Sequence, residues 1–359
     1  MNKVIVTIGP KSIYPEVLKS LIEAGANSFR INLSHSNPTS LEKYFYAIES
    51  SGVIPSIDTQ GAQLRVEKLF DKSEFMKGET LEIIFGSSSY DKDIKLLSKK
   101  CPCIVLNHPE ASDQVFIGDL LKIDFNGLTV SMRERVSKYI WRAEVIGSGS
   151  VLNNRAVDVS GRTINLAPLT SFDVEAIKMA QARGCKEVYA SFVSSKSDVL
   201  LIRNELMKET ALVSKIETAL GVDNAADIID YSDAILIDRG DLSREISIPS
   251  VPIAVNSIIR LAKERKKPVY VATNVLDSMM SSPLPSRAEI SDIYTLLNAG
   301  VSGLVLAAEV AIGNNPVAST SLLSYLMRLY DCHSQKLLAV GSVPKPCKQL
   351  IGDELYNWI

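Results

Sequence analysis

LVSKIETALG, residues 212–221, opens as an apolar run of the kind that forms a buried strand and closes on two opposite charges, Lys215 and Glu217. Side chains two apart on a strand share a face, so one strand end presents a lysine and a glutamate together. A rim salt bridge is the plain explanation; the neighbouring strands decide whether it suffices.

Seven further short runs resemble this one: KVIVTIG (3–9), NSFRINLS (27–34), IPSIDT (54–59), EVYASFV (187–193), AILIDR (234–239), PVYVAT (268–273) and GLVLAAE (303–309), with ALVSKIE (211–217) the fifth in order. Amphipathic stretches separate them, several with helix start and stop signals, such as Ser286 three residues before Glu289, and Gly25, Gly184 and Gly300 at C-terminal ends. Eight strands, each followed by a helix, predict an α/β fold, the (β/α)8 TIM barrel.

Residues 62–167 break that rhythm with strand-like runs (TLEIIFG, CIVLNH, LLKIDFNGLTVSM, KYIWRAEVI) punctuated by Gly, Asn and Ser. They read as a small all-β domain inserted after the third strand, at the barrel mouth, where it acts as a lid. The expected organisation is therefore a barrel of residues 1–61 and 168–335, an inserted lid of 62–167, and a tail of 336–359 that packs as an extension on the barrel.

Composition narrows the partners. Of 359 residues, 46% are hydrophobic and 22% charged, with a net charge of −2, which makes no electrostatic case for nucleic acid or an anionic membrane and favours a small ligand. No apolar run reaches the roughly 18 residues of a membrane span. Five cysteines (Cys101, Cys103, Cys185, Cys332 and Cys347), an odd number, behind a start without a leader pattern predict a reduced, cytoplasmic protein. Cys101, Cys103 and His108 lack the second ligand pair of a zinc site and read as ordinary loop and strand residues.

A TIM barrel gathers function at the C-terminal ends of its strands. Those ends here carry Arg30, Asn32, Ser34 and His35; Asp58 and Thr59; Lys215 and Glu217; Arg239, Gly240 and Asp241; Thr273; and Glu309. Glu217 and Asp241, from adjacent strands, suit a hard divalent cation such as Mg²⁺. Lys215 and Arg30 supply fixed positive charge for a phosphate or carboxylate, and the Gly240 and Asp241 amides form a candidate anion nest.

These residues lie in VTIGPKS, FRINLSHS, IDTQGAQLR, ASFVSSKSDV, SKIET, DRGDLSREI, VATNVLDSM, SRAEISD and AEVAIGNNP. In order and spacing these motifs resemble the pyruvate kinase family over nearly the whole chain. The resemblance implies phosphoryl transfer between phosphoenolpyruvate and a nucleotide such as ADP, in a cleft between barrel and lid. It implies Glu217 and Asp241 as ligands of Mg²⁺ (or Mn²⁺), Lys215 as the stabiliser of the transferring phosphoryl group, Arg30 at that group, and Thr273 beside the enolate carbon. It also implies Arg65, with Asn32 and His35, near nucleotide phosphates, and Asn32, Ser34, Asp58 and Thr59 as a monovalent (K⁺) cation site.

Departures from the family pattern accompany it. Gln60, Ala62 and Gln63 stand where the family has lysine, proline and glutamate, which puts potassium dependence in question; Ala307 replaces a serine assigned to proton delivery and Ile312 a lysine. In the lid, Gly118, Asp119 and Leu120 stand where the family has an acidic pair followed by glycine, and Leu152, Asn153, Asn154 and Arg155 where it has a lysine-rich segment. The family's C-terminal effector domain has no counterpart in this sequence, so its tetramer is not expected, while a homodimer through the barrel is compatible. Three functions stay open: a pyruvate-kinase-like phosphotransferase, a diverged enzyme binding phosphoenolpyruvate, pyruvate or a related 2-oxo acid on Mg²⁺ with another acceptor or lyase chemistry, and a non-catalytic binding protein.

Overall fold

The structure, a computed structural model, describes residues 2–86, 101–124, 127–161 and 164–340. Eight parallel strands close into a barrel: β1 (Lys3–Ile8), β2 (Ser28–Asn32), β3 (Ser56–Asp58), β13 (Glu187–Ala190), β14 (Ala211–Ile216), β15 (Ala234–Asp238), β16 (Val269–Ala272) and β17 (Gly303–Leu306). β17 pairs with β1 to complete the ring. The barrel and all eight strands are as the sequence predicts.

Alternation sorts each strand into two faces. Leu212 and Ile216 of β14 join the core against the outer helices, while Val213 joins the barrel interior with Ile5, Tyr189, Leu236, Tyr270 and Val305. Lys215 keeps the inward parity of Val213. By the same count Thr7, Arg30, Asp58, Ser191 and Asp238 follow inward positions, and they form the layer on which the mouth opens.

The ladders end one to three residues before the sequence runs do. The last strand stops at Leu306 rather than Glu309, because side chains take over the backbone donors at the rim. The Ser191 amide donates to Thr59 Oγ1 (3.0 Å), Phe192 to Glu217 Oε2 (2.7 Å) and Ala307 to Glu309 Oε2 (2.9 Å).

Between β3 and the helix Ser171–Ala182 the chain forms a separate seven-stranded sheet beside a two-stranded ribbon, together the nine strands from β4 (Val66–Phe70) to β12 (Val157–Val159). Among the described residues its pairings are antiparallel apart from one parallel pair, Thr80–Phe85 with Cys103–Leu106. Leu81, Ile104, Val130 and Trp141 lie in its own apolar core. Both connections to the barrel meet at one buried carboxylate: Asp173 accepts from the amides of Gln60 (2.7 Å), Gly61 (3.1 Å) and Thr170 (2.9 Å). Gly61 is required there, since at φ 69° a Cβ would lie 2.4 Å from the Ser191 carbonyl oxygen.

The last described helix, Pro316–Val340, runs past residue 335, where the tail was expected to start; the helical hydrogen bonds of its preceding turns simply continue. Residues 341–359, with Cys347, lie outside the described residues. Among the described residues no helix is long and apolar enough to cross a membrane.

Candidate active site

Lys215 organises the mouth. Its ammonium lies 3.1 Å from Asp58 Oδ1, 2.8 Å from Glu217 Oε1 and 3.0 Å from Ser191 Oγ, with 4% of the residue exposed. Burial pushes its pKa down, but Asp58, Glu217 and Asp238 more than offset that, so the lysine stays cationic.

Arg30 is buried beside it. Nε and Nη2 donate to Thr7 Oγ1 (3.1 and 2.9 Å), and Nη1 stands 2.9 Å from Asp58 Oδ2. That last contact lacks hydrogen-bond alignment, which leaves Nη1 as a buried donor without a hydrogen-bond acceptor among the described residues.

Opposite the two cations, Glu217, Asp238 and Asp241 bring one carboxylate oxygen each to within 4.8 Å of one another. Glu217 is fully buried, and its Oε1 forms no aligned hydrogen bond among the described residues despite the nearby Lys215. Burial, opposed by Lys215 and reinforced by Asp241, Asp238 and Asp58, pushes Glu217 up to about 8. Asp241 is raised by burial and then by Asp238, against Lys215, Arg244 and Arg65. Three hard oxygens with an orphaned buried acceptor fit a divalent cation such as Mg²⁺ or Mn²⁺.

Two expectations change at this rim. The Gly240 amide donates to Asp238 Oδ1 (3.1 Å), so it is spent inside the protein and the two-amide anion nest is not available; a Cβ there would lie 2.7 Å from Thr273 Cγ2. Glu309 is not part of the cluster and accepts from the Val275, Leu276 and Ala307 amides, a structural clasp between the ends of β16 and β17.

Thr273 sits at the end of β16 with φ 72°, followed by Asn274 at 56°. Two consecutive left-handed non-glycine residues mark stored strain, of the kind found at functional sites. Its hydroxyl donates to Asp238 Oδ1 at 2.5 Å.

The residues inferred for a monovalent cation already have partners within the protein. Asn32 Oδ1 accepts from the Ser34 amide (2.9 Å), Thr59 Oγ1 from Ser191, and Asp58 is paired with Arg30 and Lys215.

A cleft of about 560 Å³ opens between barrel and inserted sheet, within the range of small-molecule sites. Arg65, Asn107, His108 and Asn154 line its upper side, and Asn37, Gln60 and Phe172 its lower side. Arg65 donates to the Asn154 carbonyl (3.0 Å), has a buried Nε without a hydrogen-bond partner among the described residues, and feels the charges of Asp241 and Glu217. It therefore links the cleft to the carboxylates. Partial burial together with Arg65 and Arg155 lowers the His35 pKa, which keeps the imidazole neutral at pH 7. Gln60 is tied to the Leu33 carbonyl (3.2 Å) and Thr170 Oγ1 (3.1 Å), while Ile312 is exposed.

Reasoning from strand ends overlooked Asp238, Ser191 and Thr7. Inward parity could have found them: Asp238 lies two residues after Leu236, as Lys215 does after Val213.

Residues 1–320 match the family described as pyruvate kinase, barrel domain. The chain is 31% identical over 339 residues to a pyruvate kinase of Agrobacterium vitis, which is 92% of this chain and 68% of that protein. It is 32% identical over 333 residues to one of Sporosarcina psychrophila, covering 90% and 56%, and 30% identical over 332 residues to one of Thermotoga maritima, covering 90% and 69%. The chain thus spans between 56% and 69% of the length of these relatives. With its closed barrel and inserted β-sheet, the chain belongs to the pyruvate kinase family.

Proposed function

We propose that the chain is a divalent-cation-dependent phosphotransferase that moves the phosphoryl group of phosphoenolpyruvate to a nucleotide such as ADP, releasing pyruvate. The observation that carries this reading is the placement of one buried lysine, held by Asp58, Ser191 and Glu217, against a carboxylate cluster beside a nucleotide-sized cleft.

Phosphoryl transfer asks for positioning and charge neutralisation more than for covalent chemistry. Lys215 keeps its charge and position through both ion pairs, so it can meet the charge on the transferring group without reorganising. Arg30 offers its unaligned Nη1 donor to the same group. Glu217 and Asp241 would hold the cation, which would supply positive charge to neutralise the carboxylate and phosphate groups.

Thr273 orients the enolate side, and Arg65 receives nucleotide phosphates from the cleft. The inserted sheet serves as the lid that excludes water from them. Asp58 is already neutralised by Arg30 and Lys215, so this reading requires no potassium.

The test is pyruvate release from phosphoenolpyruvate and ADP, with and without Mg²⁺. Mg²⁺- and ADP-dependent release supports the reading. Binding of phosphoenolpyruvate without any release, with every common nucleoside diphosphate, transfers support to an enzyme with a different acceptor.

A further inference from the structure

We propose that Asp238 is a third carboxylate ligand of the divalent cation, and that it lets the site take up the cation before any oxo acid arrives. The proposal rests on the reading that Glu217 and Asp241 hold a cation. It adds a residue that the family resemblance did not assign.

Asp238 is 9% exposed at the end of β15 and joins the Glu217 and Asp241 oxygens within 4.8 Å. Both of its hydrogen bonds, from the Gly240 amide and the Thr273 hydroxyl, end on Oδ1. Oδ2 accepts none among the described residues. The carboxylate is thus oriented by two donors on one oxygen and leaves the other free, as a ligand fixed by its surroundings does.

A further feature points to an ion in the same place: Glu217 Oε1 is buried and, although Lys215 Nζ stands 2.8 Å away, forms no aligned hydrogen bond among the described residues. The ion pairs agree: Lys215 and Arg30 pair with Asp58, Lys215 with Glu217, and Arg244 lies 3.6 Å from Asp241, whereas Asp238 has no ion pair among the described residues.

Mg²⁺ sites with one or two protein carboxylates lean on substrate oxygens to complete the shell. A third carboxylate reduces that dependence, so cation binding and oxo-acid binding become separable steps.

The competing explanation is that Asp238 only caps the short helix Arg239–Glu245, whose Gly240 amide it accepts. Asparagine caps helices about as well as aspartate and retains an acceptor for Thr273, so Asp238→Asn removes the charge and keeps the cap.

The experiment titrates Mn²⁺ into the full chain with no oxo acid or nucleotide present, following free Mn²⁺ by electron paramagnetic resonance, for wild type, Asp238→Asn and Glu217→Gln. One site in the wild type and a weakening of about tenfold or more in Asp238→Asn, with thermal stability of the cation-free variant retained, support the proposal. If Asp238→Asn binds as the wild type does while Glu217→Gln binds weakly, Asp238 is not a ligand and the functional reading stands. If the wild type takes up Mn²⁺ only after phosphoenolpyruvate is added, the proposal falls and the reading again stands. If neither variant differs from the wild type, the cation site itself falls, and both go with it.

Discussion

Lys215 Nζ stands 3.1 Å from Asp58 Oδ1 across the barrel mouth, although 157 residues separate the two along the chain. Asp58 ends the strand that leads into the inserted sheet, and Lys215 lies on the second strand after the chain returns. The ion pair therefore ties the barrel together on both sides of the insertion.

Replacing Lys215 by methionine is expected to do two things. Removing one partner of a buried ion pair leaves uncompensated charge and costs about 3–5 kcal/mol, here on Asp58. Phosphoryl transfer should fall by about 10²-fold or more. Urea unfolding with and without Mg²⁺ checks the first effect, with the loss partly reversed by the cation, and a coupled pyruvate assay checks the second; unchanged turnover would remove Lys215 from the mechanism.

Glu217 provides a pH signature. Its folded pKa of about 8 exceeds its ordinary 4.5, so the folded state holds a proton that the unfolded chain has released. The resulting stability is fully present below about pH 4.5 and is lost as pH rises through about 8. In cation-free buffer the wild-type Tm should fall between about pH 5 and pH 8 more steeply than that of Glu217→Gln. Divalent cation should bind more tightly with rising pH over the same window; parallel Tm profiles for the two proteins would contradict the assignment.

Arg65 separates the two halves of the site. Because it lines the cleft and reaches toward Asp241 without ion-pairing to it, Arg65→Ala should raise the KM for the nucleotide about 10- to 100-fold, the loss of one or two charge-assisted hydrogen bonds. The KM for phosphoenolpyruvate should move less than about threefold. Equal changes in both would show that Arg65 serves the carboxylate cluster instead.

Asp173 tests the lid. Asp173→Ala leaves the amides of Gln60, Gly61 and Thr170 without their acceptor, at a cost of about 1–3 kcal/mol. The looser connections should expose sites near residues 60 and 170 to limited proteolysis while the barrel persists. A cleavage pattern identical to wild type would rule out Asp173 as the anchor.

Potassium should be dispensable. With Asp58 held by Arg30 and Lys215, and Gln63 buried and uncharged, turnover in tetramethylammonium buffer should lie within about twofold of that in potassium buffer. A potassium requirement would show that Asn32, Ser34, Asp58 and Thr59 rearrange when substrate binds.

The barrel was legible in the sequence because parallel strands buried on both faces write themselves as short apolar runs, and turn residues separate them. Period two then placed Lys215 and Glu217 on one side. It also located the inserted sheet, whose strands lack intervening helices. Strand ends were less legible: whether Glu309 or Thr273 still belongs to a strand depends on which side chain accepts the next amide, and Glu309 proved to be an acceptor.

What the chain order alone could not decide is which charges meet. Asp238 looks like a strand-ending aspartate before a helix until Gly240 and Thr273 close on its Oδ1, and the amides of Gln60 and Thr170 are unremarkable until both reach Asp173. Alternation along one strand is a local property, carried by covalent geometry, and the sequence determines it. Contacts between strands 157 residues apart arise when the ring closes, and only the tertiary structure sets their distances and their partners.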